Sequence, residues 1–280
     1  TRCCASACAP EVTVETRQGQ LMDNAPVSDR QMAETTTWLR WWRVALPLAL
    51  LVVFGSWAVT SPVGSSPDDD YHLSSIWCAG GERSGVCEVV ADEPQALAVP
   101  DSVGFAYECF AFQPAVTAAC TERLTETLVP TERVNNRKGV YPSSFYRVMN
   151  VFVGDDPQRS VLMMRLFNAI VFVALLSLAV IVLTPAIRSA VTVTTAVVLV
   201  PLGLFIIPST NPSSWTVTGV IFVWAFGLAL AQRTSWRSRR TWMLSVATCL
   251  SAFLAIGSRV DASAFVALAV IVVFVLTGWT

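Results

Sequence analysis

Charge is scarce in this 280-residue chain: Asp, Glu, Lys and Arg together make up 14%, against 54% apolar residues. A soluble domain carries roughly a quarter of its residues as charges, so that class is excluded and a multi-span membrane protein is indicated. Histidine occurs once, at His72, and lysine once, at Lys138, leaving the other basic residues as arginine. The net charge of -1 points to no partner by its sum, and no nucleic-acid partner is expected. Cys3, Cys4 and Cys8 have neither a histidine nor a second ligand pair beside them, which leaves no zinc spacing. Convincing internal repeats are also lacking, which counts against a transporter built from matched broken helices.

Residues 1–43 are read as a cytoplasmic, disordered tail. It begins without methionine and reads as an upstream extension or a disordered tail, with Met22 or Met32 as candidate true starts.

Six apolar runs follow, each near the length of about 20 residues that matches the hydrocarbon core. They are residues 44–60, 161–183, 190–207, 215–231, 242–256 and 262–278. The fifth is the shortest and is expected to be tilted, extended into its flanks or re-entrant. Arginine in short loops marks the cytoplasmic side. Arg40, Arg43, Arg188, Arg233, Arg237, Arg239 and Arg240 fall on one face if the six runs alternate, and in the short loops 208–214 and 257–261 of the other face the only basic residue is Arg259. The expected arrangement is therefore an all-α polytopic plasma-membrane protein with a cytoplasmic amino terminus and membrane lipids as neighbours. Trp38, Trp41 and Trp42 occupy the place of an interfacial belt.

The first external loop, 61–160, is too long to lack structure of its own. It holds Cys78, Cys87, Cys109 and Cys120, as suits an oxidising compartment. Of three possible pairings, Cys78 with Cys87 and Cys109 with Cys120 are favoured because short loops close locally, the alternative being unpaired buried thiols. Cys249 is read as a packing residue. Phe145, Val148, Met149 and Phe152 share a helical face between Pro142 and Gly154. That helix lies either on the outer membrane surface or buried against the loop subdomain. Asp155 and Asp156 are expected to cap the second span. The five runs from 161 to 280 form the remaining bundle.

The chain's chemistry is concentrated in Ser65-Ser66-Pro67-Asp68-Asp69-Asp70-Tyr71-His72. A capping box from Ser66 to Asp69 with Pro67 at the first helical position explains part of it. Three adjacent carboxylates exceed what a helix dipole asks for, and Asp68 with His72 makes a titratable pair at i, i+4. Arg165 and Asn168 lie at i, i+3 near the outer end of the second span, where a charge is functional by default unless the arginine snorkels to the interface. Asn211, Ser213, Arg259 and Asp261 come from the other two outer junctions, as turn formers or surface pairs if not as ligands. These residues are expected to meet in one outward-facing pocket.

The acidic run, the cysteine-containing outer loop, Tyr141-Pro142-Ser143-Ser144-Phe145-Tyr146, Met164-Arg165-Leu166-Phe167-Asn168 and Asn211-Pro212-Ser213 together resemble actinobacterial membrane proteins of the domain of unknown function 2142 family. That family is similar in layout to GT-C glycosyltransferases, and the resemblance covers roughly Trp41 to the end. It implies a GT-C-like fold, a polyprenyl-phosphate-linked sugar donor such as an arabinose or mannose carrier, and a cell-envelope glycan or lipid acceptor. It also implies Asp68 as general base, with Asp69 as the next candidate and His72 as hydrogen-bond partner or substrate contact. Arg165 and Arg259 would face the departing phosphate. A divalent cation on Asp69 and Asp70 is open, since transfer from a lipid phosphate need not use one. Related sequences often carry aspartate-glutamate where this chain has Asp68-Asp69, and they are longer, so the chain reads as an amino-terminal fragment. A flippase of lipid-linked glycans and a scaffold binding through the outer loop are the rival classes.

Overall fold

A computed structural model describes residues 29–93, 95–133, 135–233 and 235–278, and Cys3, Cys4, Cys8 and Met22 lie outside them. Residues 1–42 and 43–280 form two compact units. In the first, the described backbone is helical from Asp29 and Trp41 is exposed; the side chains of Trp38, Arg40 and Trp42 are outside the described set.

All six apolar runs are helical. The first lies in α1 (Asp29–Thr60), which contains Pro47 and begins well ahead of Val44. After it come α2 (Asp69–Trp77), the four-residue α3 (Asp101–Gly104) and α4 (Ser143–Asn150) in the outer loop. The second run is α5 (Pro157–Val182), started by Asp156, whose side chain accepts from the Arg159 N–H, with Pro157 at the first helical position. Both features stabilise a helix amino end.

The third run is interrupted. It consists of α6 (Pro185–Val198), a π-helical turn at Leu199–Gly203 and α7 (Leu204–Ile206). Pro201 sits in that wide turn, where its missing N–H is tolerated. The fourth run is α8 (Ser213–Ala231). The fifth proves to be extended into its flank: α9 (Arg239–Ser258) starts three residues before Trp242, because the Ser238 hydroxyl caps the Thr241 N–H at 3.0 Å. The last is α10 (Ala262–Thr277). Three of these helices, α5, α8 and α9, are long and apolar enough to cross a membrane.

Packing follows from small residues. A Cβ on Gly219 of α8 would stand 2.4 Å from the Ser251 carbonyl of α9, so that glycine lets the two backbones meet. Cys249 is exposed on α9, correcting its reading as a packing residue.

The outer loop is folded. Residues 88–89, 97–100 and 128–131 form a three-stranded antiparallel sheet, β1–β2–β3. Disulfides join Cys78 to Cys87 and Cys109 to Cys120. Gly64, at φ +81°, leaves no space for a Cβ beside the Tyr107 N–H and ties the loop to the end of α1. The apolar face of α4 packs on protein: Phe145 and Met149 are fully enclosed, and the Phe145 ring meets Trp215 of α8 edge-on at 5.3 Å. This is the packing expected of the alternative in which the helix is buried against protein, while Ser143 and Arg147 stay exposed on the opposite face.

Candidate functional site

The site is built around the head of α2. Asp68 precedes the helix in the left-handed region, φ 58°, with its carboxylate exposed and making no capping bond. Its carbonyl begins the helix by accepting from the His72 N–H at 2.9 Å. The capping box is half formed: the Asp69 carboxylate accepts from the Ser66 N–H at 3.0 Å, but Asp68, not Ser66, is the capping position.

Asp69 is buried. Its other oxygen accepts from the Thr210 hydroxyl, and Arg165 lies 3.7 Å away. Burial outweighs these partners and holds its pKa above the usual carboxylate value. Arg165 does not snorkel. Only 2% exposed, it donates to the carbonyls of Ala58, Ser61 and Pro62 and to the Ser65 hydroxyl, so it joins α5 to the exit of α1. Both terminal nitrogens of its guanidinium are thus engaged by protein acceptors, while Nε is buried without a hydrogen-bond partner.

Asn168 bridges in the same layer, donating to the Ser209 carbonyl at 2.7 Å and accepting from the Trp215 indole at 2.9 Å. Asn211 donates to the Pro67 carbonyl at 2.8 Å and accepts from the Ser213 N–H. These bonds pin the α7–α8 connection beneath the acidic run. Arg259 grips Asp261 through both carboxylate oxygens at 3.0 and 3.1 Å, reaches Ser213 at 3.4 Å and lies 5.6 Å from the Tyr141 ring. The guanidinium lowers the Asp261 pKa chiefly through those hydrogen bonds.

His72 does not pair with Asp68. Its Nδ1 is 2.8 Å from the Tyr146 hydroxyl, in a cluster with Tyr71 and Tyr141. Burial, and then the Arg259 charge, push the imidazole down to about 3, so it is neutral at physiological pH. Burial raises Tyr146 well above the ordinary phenol value. The Tyr71 hydroxyl, also raised by burial, is enclosed without a hydrogen-bond partner.

The arrangement thus brings Asp69, Arg165, Asn168, Asn211, Ser213 and Arg259 into one connected layer, but not into one pocket. The cavity of about 570 Å³ that Arg165 lines is bounded by residues 58–63 and 118–122 and the start of α5, and neither Asp68 nor Arg259 lines it. Nor do Asp69 and Asp70 form a ligand pair, because Asp70 turns to Arg133. Among the described residues no three His, Cys, Asp or Glu side chains gather as metal ligands. The sequence reading missed Thr210 and Tyr146 as partners. Their only signal was position, Thr210 beside Asn211 and Tyr146 within the quoted tyrosine-proline segment.

No curated protein and no solved structure matches the chain. The model of a family described as predicted membrane protein (DUF2142) matches residues 51–278, spanning the outer loop and the helices that carry this layer, and the chain belongs to that family.

Proposed function

We propose that the chain is a multi-pass plasma-membrane glycosyltransferase, of GT-C type, with Asp68 as the general base at the outer face. It would move a sugar from a polyprenyl-phosphate donor to a cell-envelope glycan or lipid acceptor. In this reading the six apolar helices all span, the amino terminus is cytoplasmic and residues 61–160 are outside. The arginine asymmetry and the two disulfides support that orientation. α6 alone is too short for a hydrocarbon core of about 30 Å, whereas the run from Pro185 to Ile206 rises about 33 Å.

One observation carries the assignment: of the two leading acids, Asp69 is consumed by Arg165, Thr210 and Ser66, while Asp68 is exposed and unbonded on a left-handed residue. That region costs a non-glycine residue some strain, less for aspartate than for most. Such strain is kept where the surroundings over-determine the residue, and here the buried Asp69 contacts supply that constraint. The acceptor hydroxyl would give its proton to the Asp68 carboxylate as its oxygen attacks the anomeric carbon. The bond from that carbon to the phosphate oxygen breaks, and the lipid phosphate leaves with the electron pair. In this reading Arg259, whose side chain is 32% exposed, would exchange Asp261 for the departing phosphate.

The test is sugar transfer in membranes from a radiolabelled polyprenyl-phosphate donor. Asp68→Asn is expected to lower the rate by about 10²–10⁴-fold without shifting the melting temperature. Undiminished transfer would remove the enzymatic reading, and lipid-glycan flipping that survives the substitution with no transfer would favour the transporter.

A further inference from the structure

The outer subdomain has two disulfide-closed loops of similar length and opposite character. The loop from Cys78 to Cys87 contains Glu82 and Arg83. The loop from Cys109 to Cys120 reads Cys-Phe-Ala-Phe-Gln-Pro-Ala-Val-Thr-Ala-Ala-Cys and contains no charge. Residues 112–117 of that loop are exposed without interruption. At its tip Phe112 is fully exposed, on a backbone held at φ 59°. The tip has a built conformation, since Gln113 N–H bonds the Phe110 carbonyl at 3.1 Å and Val116 N–H bonds the Gln113 carbonyl at 2.9 Å.

One exposed apolar side chain is ordinary, but here Phe112 and Val116 share a continuous exposed stretch with no charge between Cys109 and Cys120. Such a stretch marks a contact site when it is contiguous. The loop's base shows what lies nearby. Ala118, Ala119, Thr121 and Glu122 face the last turn of α1 and residues 158–162 of α5 across the 570 Å³ cavity. α5 is long and apolar enough to cross a membrane, and here is its first turn. Glu122 and Arg159 on the cavity wall suit the headgroup level, while Val59 and Met163 on the two helices are exposed apolar residues just beyond it. Phe112 is six residues from Ala118, within about 20 Å even for an extended chain.

We infer that the Cys109–Cys120 loop dips into the outer leaflet of the same bilayer, with Phe112 and Val116 as the inserted side chains. The disulfide holds both ends of the loop at the headgroup level, so the tip enters without ordering a long segment. The inference rests on α5 being a span and not on the glycosyltransferase reading.

The experiment places a photo-crosslinking phenylalanine, p-benzoylphenylalanine, at position 112, at position 116, and at Ser84 in the charged loop as control. Each full chain is reconstituted into nanodiscs of phosphatidylethanolamine and phosphatidylglycerol, irradiated and analysed by mass spectrometry, with retention of both disulfides checked in the same spectra. Lipid adducts at 112 and 116 are expected at least about threefold above those at 84, as for an interfacial side chain. Equal yields at all three positions would overturn the inference. Dimers crosslinked through position 112 would also overturn it, and would identify a second copy as the cover.

Discussion

Arg165 and Arg259 each stand near the end of an apolar helix with an aspartate beside it, yet their surroundings are opposites. Arg165 is enclosed, its pair with Asp69 is long at 3.7 Å, and most of its hydrogen bonds go to carbonyls at the end of α1. Arg259 is partly in solvent and holds Asp261 bidentately. The shorter pair is the weaker determinant of folding, because water competes for exposed ions and little is lost when they part. The longer pair cannot be broken cheaply, since either partner left alone is a buried charge. The first arginine therefore organises the connected layer, and the second remains free to change partners.

The largest effect should come from breaking the enclosed pair. Arg165→Met strands the Asp69 carboxylate and is expected to cost about 3–5 kcal/mol, read as a drop in melting temperature of the solubilised protein. Arg165→Met combined with Asp69→Leu should recover much of that loss, because neither charge is then buried. A double variant no better than the single one would mean that the carbonyl contacts, not the charge pair, dominate.

An intermediate effect should appear on acidification. His72 titrates at about 3 in the fold against an ordinary value of 6.5, so the unfolded chain binds the extra proton between those limits. Stability is intact above about 6.5 and falls by up to about 1.4 kcal/mol per pH unit below it. Asp69 acts in the opposite sense: its raised pKa favours the fold at low pH and that contribution fades as pH rises through its folded value. Comparing the slopes for the native chain and His72→Gln between pH 6.5 and 4 separates the two, and an unchanged slope would exclude His72 as the source.

The smallest effect is expected at the exposed pair. Arg259→Gln or Asp261→Asn should each change stability by no more than about 1 kcal/mol, while under the proposed function Arg259→Gln should also lower sugar transfer. A larger loss of stability than at Arg165 would reverse the comparison.

Much of the architecture could be read from residue order. Apolar run length located all six helices, and the four outer-loop cysteines paired with their nearest neighbours. The start of α9 could not be read from hydropathy, because a serine cap and two arginines precede its apolar residues. In the site, residue type found the layer but not its pairings. His72 meets Tyr146 across 74 positions and Asp69 meets Thr210 across 141. Such separations carry no local periodicity. The direction of Arg165 was equally hidden, since a long side chain near a helix end can turn outward or inward until the carbonyls around it are known.

The wide turn at Leu199–Gly203 has a bearing on register. Each residue advances an α-helix by about 100°, so one extra residue wound into that turn rotates everything after it relative to α6. Ser209, Thr210 and Asn211 come next, and they deliver a carbonyl to Asn168, a hydroxyl to Asp69 and an amide to Pro67. Deleting a single position there, even one whose side chain touches nothing, would swing all three donors and acceptors away from their mates together.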